Sequence, residues 1–180
     1  MTWPTRRRRT VYENAWIRVT EDDVVKPDGR DGIYGVVEVQ HTAVFVVAMT
    51  DADEVLLVTI DRHTVGPSIE VPAGSTDGED PLVAARRELR EETGCDATDW
   101  REIGRMDALN GISRAPEVVF LARGLTRGAH PGDTQTEEGI SDVRAVPWAE
   151  TVRMIAAGGI RDGETIAALM FAAVALGRAG

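Results

Sequence analysis

The sequence predicts an α+β domain built around a mixed β-sheet, with a small N-terminal β region in front of it. Three observations predict this. Thr42 to Met49 is almost wholly apolar and rich in β-branched residues, the pattern of a strand covered on both faces. Asp80 to Gly94 carries start and stop signals of a helix around an apolar stripe. Strand-like and helical runs are mixed along the chain without strict alternation, which argues against a doubly wound parallel sheet. At 180 residues the chain has the size of one domain with a real core.

The elements follow in order. Residues 1–10 read as a flexible, solvated arm because Arg6 to Arg9 form an unbroken cationic run. Residues 11–40 alternate apolar runs with turn signals and read as three strands: Val11-Tyr12, Trp16 to Val19, and Ile33 to Val39 after the turn Pro27-Asp28-Gly29. The main domain is expected over residues 41–180. Thr42 to Met49 is its first strand, Asp51 to Glu54 turns the chain, and Val55 to Ile60 is the expected hairpin partner. Ile69 to Gly74 is a short strand running into a Pro/Gly loop.

In the helix that follows, Asp80 is the N-cap, Pro81 fits the first helical position and Gly94 suits the residue after the end. Leu82, Ala85 and Leu89 fall on one stripe by helical spacing. Trp100 to Met106 and Val118 to Ala122 are strands flanking a loop from Leu109 to Pro116. A second loop spans Gly128 to Gly139, and Val143 to Val146 is a strand. Pro147 opens a short helix through Ala157, and residues 163–177 form a last, alanine-rich helix.

Composition narrows the function. The formal charge of −10 disfavours general attraction to nucleic acid or an anionic membrane. Cys95 is the only cysteine, which rules out an internal disulfide, and His41, His63 and His130 lack close metal-ligand spacing. The apolar runs Ala43 to Met49 and Ile166 to Leu176 are too short to span a bilayer, and no apolar segment follows the arginine run as in a secretory signal. A cytoplasmic enzyme is the expectation.

The chemistry sits on the Asp80–Gly94 helix. Glu88 and Glu92 are four residues apart, so their carboxylates leave one face a turn apart and repel, with Glu91 beside them and Glu79 just ahead. A cation between them turns that repulsion into binding, and carboxylate oxygens suit Mg2+ or Mn2+. The bland alternative is a solvated helix face with arginine partners, but Arg87, one residue before Glu88, is not placed for the usual helical pairing with it.

Gly74 to Cys95 resembles the Nudix box, the signature of the Nudix hydrolases. From Glu79 the register matches that pattern: seven residues, then Arg87-Glu88-Leu89-Arg90-Glu91-Glu92-Thr93-Gly94-Cys95. One departure is present, because four residues rather than the family's five separate Gly74 from Glu79. The resemblance implies an α/β/α sandwich around a mixed sheet and divalent-metal-dependent hydrolysis of a nucleoside diphosphate linked to another group. It implies Glu88 and Glu92 as principal metal ligands, Glu91 as a third ligand or metal-water contact with a catalytic part, and the carbonyl of Ala73 as a further ligand. Arg87 resembles the arginine that orients the catalytic glutamates, and Glu79 is a secondary ligand or a loop organiser.

Beyond the box, the layout is similar to the ADP-ribose pyrophosphatase branch. Arg62, eight residues before Glu70, resembles a substrate-phosphate contact. Thr136-Glu137-Glu138-Gly139-Ile140 resembles the loop that supplies a catalytic glutamate, which makes Glu138 the general base and Glu137 its alternative or a substrate contact. Asn110 stands where ADP-ribose-cleaving members carry a proline, so ADP-ribose and other nucleotide sugars both stay open as substrates. Arg114 in the same loop is a surface residue or a contact for a distal phosphate or sugar. Two other readings are a hydrolase of nucleoside triphosphates or capped RNA, to which Arg6 to Arg9 lend support, and a non-catalytic nucleotide sensor. The resemblance also implies a homodimer formed through residues 11–40.

Overall fold

A computed structural model describes residues 3–128 and 139–179. The chain runs β1 (Thr5–Glu13), β2 (Ile17–Val25), β3 (Asp31–Val39), β4 (Ala43–Ala48), β5 (Glu54–Arg62), β6 (Gly66–Glu70), β7 (Ala73–Ser75), α1 (Pro81–Thr93), β8 (Cys95–Asp107), β9 (Ser113–Arg114), β10 (Pro116–Arg127), β11 (Ile140–Pro147), α2 (Trp148–Ala156) and α3 (Gly163–Ala175). The mixed sheet has the order β7-β4-β10-β8, in which β4 and β10 are parallel and the other neighbours antiparallel.

The pleat of β4 divides the core. Val44, Val46 and Ala48 pack with Ala84, Ala85 and Leu89 of α1 on one face. Phe45, Val47 and Met49 pack with Ala168, Leu169 and Ala172 of α3 on the other. Successive strand residues point to opposite faces, so a strand between two helices must be apolar at every position. This accounts for the unbroken apolar run in the sequence.

Two expectations are corrected. Val55 to Ile60 lies within β5, but β5 is not the hairpin partner of β4: it pairs antiparallel with β11 and β6 in a separate three-stranded sheet, and it bridges to the end of β4 through Met49–Val55 while its side chains share the core with those of β4. Both edges of β4 are already taken, by β7 and β10, so no ladder position is left for β5. The arm expected through residue 10 is instead a strand from Thr5, paired antiparallel with β2. Two of its arginines meet acids across the ladder, Arg8 with Asp22 at 2.6 Å and Arg9 with Glu21 at 2.6 Å, and Arg6 reaches Asp31 of β3 at 3.1 Å. Opposite charges directly across a ladder favour pairing, so Arg8 and Arg9 are ion-paired on a strand that stays exposed along its length. β1, β2, β3 and β9 form one sheet.

Candidate active site

α1 begins as its sequence dictates. The Asp80 side chain accepts the Leu82 N–H at 2.9 Å, Pro81 follows, and the chain leaves at Gly94 in the left-handed conformation. Its inward face carries Glu88 and Glu92 beside Ala84, Ala85 and Leu89; Glu88 is 5% exposed and Glu92 3%. A buried carboxylate is costly unless paired or hydrogen-bonded. Glu92 Oε2 accepts the backbone N–H of Ala73 at 3.0 Å, and Glu88 Oε1 accepts from Arg87 at 2.8 Å.

Arg87 is the organiser of this face. Its guanidinium also donates to Glu91 Oε2 at 3.0 Å, to Glu79 Oε2 at 3.2 Å and to the Ser75 carbonyl at 2.8 Å. The fixed fork of a guanidinium allows one side chain to serve carboxylates from helix and loop at once. Partial burial disfavours its charge, but the ionised Glu88 and the hydrogen bonds to Glu91, Glu79 and Glu88 outweigh that and raise its pKa. Arg87 and Glu91 form an i,i+4 pair, and Arg87 also reaches Glu88, the neighbour for which helical spacing argues against pairing.

Gly74 explains how the strand comes so close to the helix. A Cβ on Gly74 would lie 2.1 Å from Glu88 Oε1 and 2.2 Å from its carboxyl carbon. Only a glycine lets that carboxylate rest on the backbone of β7. The shortened loop after Gly74 closes by a tight turn in which Glu79 N–H donates to the Thr76 carbonyl at 2.8 Å and the central residues Asp77 and Gly78 have φ of 48° and 87°. Positive φ at both central positions belongs to the tightest turns, and Asp-Gly suits it. The missing residue is absorbed there, and Glu79 still reaches Arg87.

Beside β7 opens a cavity of about 780 Å3, lined by Arg62, Glu70, Ala73, Gly74 and residues of the α3 side. Arg62 grips Glu70 with two hydrogen bonds, at 3.2 and 2.6 Å, and this contact keeps its pKa raised. The opposite wall was not singled out by the sequence pattern. There Glu117 of β10 faces Asp162 and Glu164 at the start of α3. Burial first, then the charges of Glu164, Asp162 and Asp107, push the Glu117 carboxyl up to about 7. A signal was present: Glu117 is a lone charge at the head of the apolar run Val118 to Ala122.

Of the expected site residues, the structure gathers Ala73, Glu88, Glu91, Glu92 and Arg87 around the start of β7, with Arg62 on the cavity rim. Arg114 lies elsewhere, ion-paired with Glu38 of β3 at 2.6 Å. Glu137 and Glu138 lie outside the described residues. Among the described residues, no three Asp, Glu, His or Cys side chains already surround one point as a metal cage. The donor set nevertheless fits a hard dication: it is all oxygen, and Glu79, Glu88 and Glu91 share a single guanidinium with Glu92 alongside on the Ala73 N–H. The carboxylates of α1 thus stand beside a cavity lined by Arg62 and Arg161, by the backbone of Ala73 and Gly74, and by the acids Glu70, Glu117, Asp162 and Glu164.

The NUDIX domain family matches residues 39–169, and the nucleoside diphosphate sugar hydrolase N-terminal domain matches residues 3–37. An ADP-ribose pyrophosphatase of Mycobacterium tuberculosis is 35% identical over 165 residues, covering 89% of this chain and 78% of its own. A methanol dehydrogenase activator of Bacillus methanolicus is 28% identical, covering 93% and 90%. The solved structure of an ADP compounds hydrolase superposes with a TM-score of 0.84 over 99% of this chain and 97% of its own, at 21% identity, which speaks for the fold. The chain belongs to the Nudix family and is a pyrophosphohydrolase of nucleoside diphosphate-linked compounds. Hydrolases of this family generally require divalent metal ions.

Proposed function

We propose that the protein cleaves the pyrophosphate of a nucleotide sugar, with ADP-ribose the first candidate, to a nucleoside monophosphate and a sugar phosphate. The observation that carries this reading is the buried pair Glu88 and Glu92, locked by Arg87 and the Ala73 N–H beside a cavity that also holds Arg62. The similarity to an ADP-ribose pyrophosphatase over most of the chain supports the substrate class.

Glu88, Glu92, Glu91 and the Ala73 carbonyl would hold Mg2+ or Mn2+. Bound there, the ion supplies charge neutralisation and an acidified water. The residues do the rest. Arg87 fixes the glutamate rotamers, so orientation is built in before substrate arrives. Arg62 meets a phosphate with its guanidinium while Glu70 holds it in place. Water attacks one phosphorus, the bond to the bridging oxygen breaks, and the bridging oxygen departs with the other phosphate. Glu138 takes the proton of the attacking water in this proposal, with Glu137 the alternative base or a substrate contact.

Replacing Glu92 by Gln keeps the volume and removes the charge. Turnover of ADP-ribose with Mg2+ is expected to fall about a thousandfold or more while the melting temperature holds. A near-normal rate would defeat the assignment. Arg6, Arg8 and Arg9 of β1 are engaged by Asp31, Asp22 and Glu21, which weakens the feature that favoured an RNA substrate.

The proposal includes a homodimer formed through the N-terminal sheet, where Val11, Tyr12, Trp16 and Ile33 are exposed. Sedimentation equilibrium tests it, and a clean monomer would refute it. A cytoplasmic location belongs to the same reading; among the described residues no helix is long and apolar enough to cross a membrane.

A further inference from the structure

From the cavity wall opposite the metal-ligating face, we infer that Glu117 binds a hydroxyl group of the sugar and thereby selects sugar-bearing substrates. Glu117 is 6% exposed, and among the described residues its buried Oε2 has no hydrogen-bond partner. The other acids that line this cavity are engaged. Glu70 holds Arg62, Asp162 caps α3 by accepting the Thr165 N–H at 2.7 Å, and Glu164 shares a hydrogen bond with Asp162. A buried acceptor left unmatched costs stability, on the order of 1–3 kcal/mol, and such sites await a ligand that satisfies them.

The chemistry of that ligand follows from the walls. Asp162 and Glu164 disfavour a phosphate beside Glu117, and Arg62 with the backbone of Ala73 and Gly74 offers it a better place. An uncharged group that donates hydrogen bonds fits, and the cavity adds the apolar surface of Ala43 and Phe45 to receive carbon-bound hydrogens. A polyhydroxylated sugar has both features. Glu117 occupies the α3-facing side of β10 in line with Val119 and Leu121, so its side chain is held by the sheet rather than by a loop.

This inference rests on the nucleotide-sugar reading, and the test separates the two. Hydrolysis of ADP-ribose and of the β-methyl ester of ADP, which keeps the adenosine but lacks the terminal ribose, is measured with Mg2+ for the wild type and Glu117→Gln. The variant is expected to lose about 10–100-fold in kcat/KM for ADP-ribose and to stay within about threefold for the methyl ester, at an unreduced melting temperature. An equal loss on both substrates, or no loss on either, overturns the role of Glu117 and leaves the nucleotide-sugar reading standing. A wild type that cleaves the ester but no nucleotide sugar overturns both. If Glu117→Gln fails to fold, Glu117→Asp keeps the charge but withdraws it by one methylene. A selective loss on ADP-ribose in that variant supports the role of Glu117, and an equal loss or none overturns it.

Discussion

Two sets of buried glutamates flank β4, and the protein treats them oppositely. On the α1 side Glu88 and Glu92 are as buried as Glu117 on the α3 side, yet they receive a guanidinium and a backbone N–H. Glu117 receives other carboxylates as neighbours and no partner for Oε2 among the described residues. Burial alone therefore does not fix the charge of an acid; the neighbours do. The α1 pair is met by donors, the arrangement that the proposed metal role needs, while Glu117 is pushed towards its neutral form, the setting proposed to suit a hydroxyl.

The sharpest way to break the α1 side is to remove its organiser. Arg87→Lys keeps the charge but cannot donate to Glu79, Glu88, Glu91 and the Ser75 carbonyl together. We expect kcat to fall about a hundredfold in steady-state assays with Mg2+, with KM changed less. A rate close to wild type would show that the fork is dispensable.

A smaller effect is expected at Gly74. Adding a methyl group by Gly74→Ala drives a Cβ into the Glu88 carboxylate, which must swing away. Activity is expected to drop about tenfold and the apparent Mg2+ requirement to rise; an unchanged metal titration would mean that Glu88 has another productive position.

The smallest effect is on stability and touches the α3 side. The Glu117 pKa of about 7 lies above its unfolded value, so folding is unpenalised below the unfolded pKa of roughly 4.3 and the contribution is lost as pH rises through 7. Glu117→Gln has no such dependence. Its stability relative to wild type is expected to improve by on the order of 1–3 kcal/mol between about pH 4.5 and about pH 8, read from urea unfolding at both ends. A pH-independent difference would place Glu117 in a solvated setting.

The same contrast explains what the sequence revealed. The α1 face was legible because everything it needs is local: the Asp80 cap, Pro81, the apolar stripe and the glutamate spacing lie within one helix. β1 was not, since the partners of Arg8 and Arg9 are 14 and 12 residues away and become partners only when the hairpin forms. The place of β5 was hidden because the edges of β4 are filled by β7 and β10, which no property of β5 announces. Gly74 could be read as a turn residue, but its closeness to Glu88 belongs to packing. Glu117 was a charge on an apolar strand whose meaning depends on the start of α3, 45 residues later at Asp162.

Calorimetric titration of Mn2+ into the wild type and into Glu88→Gln/Glu92→Gln tests the metal-binding role of the α1 face most directly. Saturable binding by the wild type, lost in a folded double variant, is the expected result. Equal Mn2+ affinity in both proteins would contradict that role.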